Sequence, residues 1–154
     1  MKPIISLIIM GLSVLMSQAQ VIVYDEAKAS QFEKKLVSTG IEVSDTFGPD
    51  YEVKNAGRVE ISGPLVFQDT DMRPEIQKHV GRTYYDVTFF PQDPSSIIYS
   101  HLSTVQILSD GTPLRVIFGN SYGVNFFFKS FEELKKYTSI TVPMEKDRKV
   151  EKIL

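Results

Sequence analysis

The spacing of hydrophobic and polar positions changes several times along this 154-residue chain and divides it into segments of different character. After Lys2, residues 4–16 are apolar except for Ser6, Gly11 and Ser13, and small residues follow at Ser17 and Ala19. A positive start, an apolar run and small residues before a cut make the plan of a secretory signal peptide, with cleavage expected after Ala19. The run is shorter than the roughly 20 residues a helix needs to cross a bilayer core of about 30 Å, so no lasting membrane anchor is expected.

Residues 21–24 then read as a short strand. Asp25 follows as the expected cap of a helix reaching residue 39 and closed by Gly40, with Ala29, Phe32, Leu36 and Val37 on one face. Gly48-Pro49, Asn55-Ala56-Gly57 and Gly63-Pro64 punctuate the next part, which leaves room for short extended pieces over 51–53 and 58–67, the second bent or at an edge because of Pro64. Residues 72–80 predict one or two helical turns, with Pro74 in the first and Gly81 as the stop. From residue 83 onward β-branched and aromatic residues dominate 83–90, 97–108, 114–118 and 124–128, separated by turn residues. Ser130-Phe131-Glu132-Glu133 is a capping box opening a last helix through Tyr137. Helix, strands, helix is the order of an α+β fold: an antiparallel meander of about four to six strands packed on the N-terminal helix, with a short C-terminal helix. The expected division is a signal peptide over 1–19, one α+β domain over 20–142 and a charged C-terminal tail over 143–154.

Turn chemistry predicts a register. A two-residue turn at Asp110-Gly111 sets Val105 opposite Val116 and Ile107 opposite Leu114. A loop over 119–123 sets Phe118 opposite Val124 and Val116 opposite Phe126. Val105, Ile107, Leu114, Val116, Phe126 and Phe128 then share one dry face beneath the helix. A loop over 91–96 sets Phe90 opposite Ile97 and hence Asp86 opposite His101. The polar end of that face carries Asp86, His101 and Asn120, flanked by Tyr84, Tyr99 and Ser103. A carboxylate opposite an imidazole, with an amide beside them and phenols around, suits a small polar ligand, and equally a hydrogen-bond network that pins register. Asp86, His101, Asn120, Tyr84 and Tyr99 are therefore the candidate ligand-binding residues. The other face mixes Tyr85, Val87, Phe89, Ile98, Leu102, Ile117 and Phe127 with polar residues, and calls for partial cover by residues 51–67 or for a partner.

Composition narrows the chemistry. The chain has no cysteine, which removes disulfides, thiol catalysis, thiolate metal ligands and a lipid attachment site. A net charge of −2, with basic residues scattered among acidic ones, leaves no footprint for nucleic acid or an anionic membrane. Its two histidines, His79 and His101, have no HExxH-type spacing, and Asp69-Thr70-Asp71 lacks the glycine and distal glutamate of a calcium loop. There is no G-x-S-x-G elbow, and the glycine-flanked loop 119–123 joins two strands and does not lead into a helix. No catalytic residue, metal or cofactor is assigned. The expectation is an exported, periplasmic or secreted, non-enzymatic binding or accessory module that takes a protein or small molecule on an aromatic-rich sheet face. The alternatives are a small hydrolase or isomerase using an Asp86/His101 pair, and a structural component of an envelope assembly.

Overall fold

The computed structural model describes residues 19–96 and 98–138; the leader, residue 97 and the charged tail lie outside the described residues. The elements are β1 (Gln20–Val23), α1 (Gln31–Phe47), β2 (Arg58–Val66), α2 (Pro74–Gln77), β3 (Thr83–Phe90), β4 (Ser103–Leu108), β5 (Pro113–Phe118), β6 (Gly123–Asn125) and α3 (Phe131–Thr138). All six strands form one antiparallel meander in the order β1-β2-β3-β4-β5-β6. The α+β class, the antiparallel sheet, the early helix and the short last helix are as the sequence predicts.

α1 begins later and ends later than expected. Asp25 caps only a turn, accepting from the backbone N–H of Ala27. The helix is capped by Ser30, whose hydroxyl accepts from the Glu33 N–H while the Glu33 carboxylate accepts from the Ser30 N–H, so two of the orphan donors of the first turn are satisfied. Gly40 does not stop the helix. A Cβ there would lie 3.1 Å from the Phe89 ring and 3.2 Å from Val87, so the glycine lets α1 rest close on the sheet while Ile41, Val43, Ser44 and Phe47 continue its inward stripe. Residues 49–51 and 53–55, the first expected to lead into an extended piece, form 3-10 turns instead.

The face under α1 carries Ile61, Val87, Phe89, Val105, Ile107, Val116 and Phe118, closed by Leu36, Val37 and Val43 from the helix. Val105 opposes Val116 as predicted. An extra residue in β5 then shifts the register between Gln106 and Ile107, so that Ile107 faces Pro113 and Leu114 turns to the other face. Val116 faces Val124, not Phe126, because the turn closes between Phe118 and Tyr122. Phe126 still packs inward, against Phe47 and Phe131, whereas Phe128 is half-exposed beneath the Arg73 guanidinium. On the outer face Phe67, Ile76, Leu108, Leu114 and Phe127 make a second, smaller core. Its cover is Phe67, the last residue of the segment 51–67 expected to supply it, with Ile76 of α2 beyond that segment.

Candidate functional site

Three connections meet where β2 begins and β3 and β5 end: the 3-10 turns of 49–55, the long loop 91–102 and the tight turn 119–122. Gly48, which closes α1, lets the chain turn under the Phe118 ring, since a Cβ there would sit 2.4 Å from it. Tyr51 then stacks on Phe118 at 4.7 Å between ring centroids, and Tyr122 lies on the same ring at 6.1 Å. Gly119 docks the tight turn onto the loop, because its missing Cβ would fall 2.2 Å from the His101 carbonyl oxygen and 2.7 Å from Tyr99 Cβ. The three connections are thereby locked into one wall.

Between them opens a cleft of about 640 Å³. Tyr51 and Tyr99 face it with Leu102 and Pro91, and Asp50, Glu52, Asp93, Asn55, Gln92 and Ser96 supply its polar groups. Burial raises the Tyr51 phenol above its ordinary pKa, Tyr99 adds to this, and the Asn120 backbone opposes it. Glu52 stands in the left-handed region at φ 50, which turns one 3-10 turn into the next. Hydrogen bonds from the Ser95 hydroxyl and backbone N–H to Asp93 hold that carboxyl below the usual aspartate range. A second pocket of about 350 Å³ shares Pro91, Gln92 and Tyr99 with the cleft and continues to Arg58, Phe90 and Ser100. The Arg58 guanidinium lies 4.3 Å over the Phe90 ring and 3.1 Å from the Glu60 carboxylate.

The sequence-predicted site residues divide into two groups. Tyr99, His101 and Asn120 come together around the cleft wall: the His101 ring hydrogen-bonds through Nδ1 to the Ser100 hydroxyl at 2.9 Å, and the Asn120 side-chain oxygen accepts from the Tyr122 N–H at 3.0 Å. Asp86 and Tyr84 stand apart from them. Asp86 faces Gln106, not His101, and Tyr84 faces Leu108. The register of β3 on β4 differs from the expected one by five residues, and an odd shift exchanges the faces of a strand. Val87 and Phe89 therefore enter the main core, and Asp86 joins an outer row running Ser62, Asp86, Gln106, Arg115, Asn125 across five strands. In that row Arg115 Nε donates to the Gln106 side-chain oxygen. Burial raises the Asp86 pKa, a hydrogen bond from Gln106 and the charge of Arg115 oppose the rise, and Oδ1 is buried without a hydrogen-bond partner.

Among the described residues His79 also carries a buried side-chain atom without a hydrogen-bond partner. It lies between Phe67 and Phe127, its Nδ1 has no hydrogen-bond partner, and burial, followed by the charges of Lys78 and Arg82, lowers its pKa. It closes the second core and is not near the cleft residues in the fold. Among the described residues no group of three or more His, Asp or Glu side chains is placed to hold a metal ion, and no helix is long and apolar enough to cross a membrane. Sequence reasoning missed Asp50, Glu52, Asn55, Gln92 and Asp93; the available signal was their place in two segments punctuated by Gly and Pro. Comparison with protein-family models, with curated proteins and with solved structures found no match.

Proposed function

We propose that this chain is an exported binding module that holds a small organic cation in the cleft between the 3-10 turns and the loop 91–102. The observation that carries this reading is the charge and shape of the cleft. Three carboxylates, Asp50, Glu52 and Asp93, line it with two tyrosines, and among the described residues its lining includes no Lys, Arg or His. An ammonium or guanidinium group between carboxylates and aromatic faces gains from ion pairing and from the ring quadrupole together. A volume of about 640 Å³ lies within the range of small-ligand sites. Tyr51 is held in place by its stack on Phe118, so little side-chain order need be gained on binding. Export is supported by the three-part pattern of residues 1–19. The hydrolase or isomerase reading is not favoured, since Asp86 lies opposite Gln106 and on the other face from the cleft.

The test is an NMR titration of isotope-labelled protein with choline, arginine amide and putrescine, and with glucose and citrate as neutral and anionic controls. The cations should shift the resonances of Tyr51, Glu52, Asn55 and Tyr99. Glu52→Gln and Tyr99→Ala should each weaken binding about tenfold, corresponding to the loss of one desolvated charge or cation–π contact of about 1.4 kcal/mol. Citrate or glucose binding in the cleft while the cations leave it unmoved would refute the reading.

A further inference from the structure

The two edges of the sheet are unlike. β6, at one edge, has only three residues, and a very short strand is one of the ways proteins blunt an edge. β1, at the other, reads Gln20-Val21-Ile22-Val23 and carries no charge, no proline and no bulge. Its side chains are open to water on both faces, with Val21 62%, Ile22 41% and Val23 60% exposed.

The direction of its backbone groups follows from the pairing with β2. The Tyr24 N–H donates to the Val59 carbonyl at 2.8 Å, and Ile22 opposes Ile61 in the same register. Hydrogen-bonded pairs alternate in an antiparallel ladder, so Ile22 and Tyr24 turn their backbone groups toward β2. Val21 and Val23 turn theirs outward, presenting two N–H donors and two carbonyl acceptors along the open edge.

We propose that two copies of this chain associate edge to edge through β1, antiparallel about a two-fold axis at Ile22. In this register Val21 of each copy opposes Val23 of the other, and all four outward groups on each strand find partners at once. Shifting the register by two residues in either direction leaves some of them without a strand partner. Ile22 faces its own copy across a non-hydrogen-bonded position, where side chains approach most closely, and Val21 packs beside Val23 on the outer face. Charge favours the same arrangement. Gln20 of one copy comes opposite Tyr24 of the other, beside the carboxylates of Asp25, Glu26 and Glu33, which outweigh the Lys28 ammonium 3.5 Å from Asp25; these carboxylates follow burial in raising the Tyr24 phenol pKa. A chain cut after Ala19 and left open at Gln20 begins with an α-ammonium at that point, and this part of the inference rests on the export reading. So short a strand pair buries less than the ~1,000 Å² of a permanent interface, so the pair is a reversible one.

Sedimentation equilibrium on the chain beginning at Gln20 tests the pairing. Monomer is expected at about 1 μM and dimer at about 1 mM, the span of a weak interface. Val23→Pro removes an outward donor without touching the β1–β2 bonds, and Val21→Lys places a charge at the axis-proximal edge; each should abolish the dimer while leaving the melting temperature of the monomer unchanged. A chain that stays monomeric up to 1 mM, or a dimer indifferent to both substitutions, overturns the proposal. Extending the N-terminus by Gly-Ser displaces the ammonium and should weaken the dimer several-fold. If the extended chain pairs as well as the parent while Val23→Pro does not, strand pairing stands and the contribution drawn from export falls.

Discussion

Among the described residues, Ser44 and Ser103 are the only polar ones inside the main core whose side chains are wholly shielded from water, and they test how α1 is seated on the sheet. Ser44 lies on α1 and Ser103 opens β4; both are 0% exposed, and their hydroxyl oxygens are 2.7 Å apart. The two hydroxyls do not have the same alternatives. If Ser103 is replaced by Ala, the Ser44 hydroxyl can rotate to the carbonyl of Gly40 one turn back on its own helix. If Ser44 is replaced, the Ser103 hydroxyl sits in a strand with no such local acceptor. Ser44→Ala should therefore cost about 2 kcal/mol, the penalty of a stranded buried hydroxyl, and Ser103→Ala about 1 kcal/mol. The double variant removes both polar groups and should cost about 1 kcal/mol, giving a coupling of about 2 kcal/mol against the sum of the singles.

Urea unfolding followed by far-ultraviolet circular dichroism measures these differences, the chain having no Trp. In a domain of this size about 1 kcal/mol corresponds to a shift of about 4 °C in melting temperature. Single costs that add in the double variant, with coupling below about 0.3 kcal/mol, would refute the contact. Ser103→Ala costing more than Ser44→Ala would refute the fallback on the helix.

Asp86 supplies a pH-dependent prediction of definite sign. Its folded pKa is raised above the ordinary value of 3.8, so the stability it contributes is fully present below that value and is lost as pH rises through the folded pKa. Asp86→Asn should accordingly be more stable than the parent at pH 7 by on the order of 1 kcal/mol, with the advantage vanishing in acid; a variant equally stable or weaker at pH 7 would contradict the burial of an unpartnered oxygen. Export predicts that intact mass analysis of protein recovered outside the cytoplasm gives a chain starting at Gln20, open or cyclised; a species retaining Lys2 would exclude it.

Much of the fold was legible because local chemistry and tertiary demand agree. Asp110 and Gly111 lie in the β4–β5 turn, with Gly111 at φ 95, although the loop holds three residues and not the expected two, since the Leu108 N–H donates to the Thr112 carbonyl and the Gly111 N–H to the Leu108 carbonyl; Ser130 and Glu133 form their capping box. Pro74 opens α2, and Gly81, at φ 82, follows it. The errors arose where a local signal was overruled by packing. Gly40 reads as a helix stop by propensity, but a helix lying on Phe89 needs a residue without a side chain at the point of contact, and the gain from burying Val43 and Phe47 further on exceeds the roughly 1 kcal/mol that glycine costs inside a helix. The bulge in β5 carries no compositional mark, so the turning of Leu114 into the second core could not be read from alternation. Residues 72–80 offer Ile76 and Val80 at i and i+4, too little to fix which face of the sheet they cover, which is why the cover of the outer face was assigned to residues 51–67, of which Phe67 joins that core.

The candidate site was legible only in part, and one misassigned stretch accounts for the difference. Residues 97–102 contain Ile97, Ile98, Tyr99 and Leu102, a composition typical of a strand, and placing them in β4 set Asp86 against His101. In the fold β4 begins at Ser103, and residues 98–102 belong to the loop. Ile98 is 91% exposed and Tyr99 39%, so these side chains are not in the sheet for which their chemistry suits them. Of residues 98–102, Leu102 alone goes into the core. Apolar and aromatic residues left outside a sheet at the cost of exposing them require a reason other than strand formation, and the connection that carries them holds a 3-10 turn at Pro94–Ser96 in place of strand pairing. The same residues that obscured the register, Tyr99 above all, form the wall shared by the cleft and its neighbouring pocket. Apolar and aromatic groups held at a surface by the docking of Gly119 against the loop backbone are what a preformed ligand site requires.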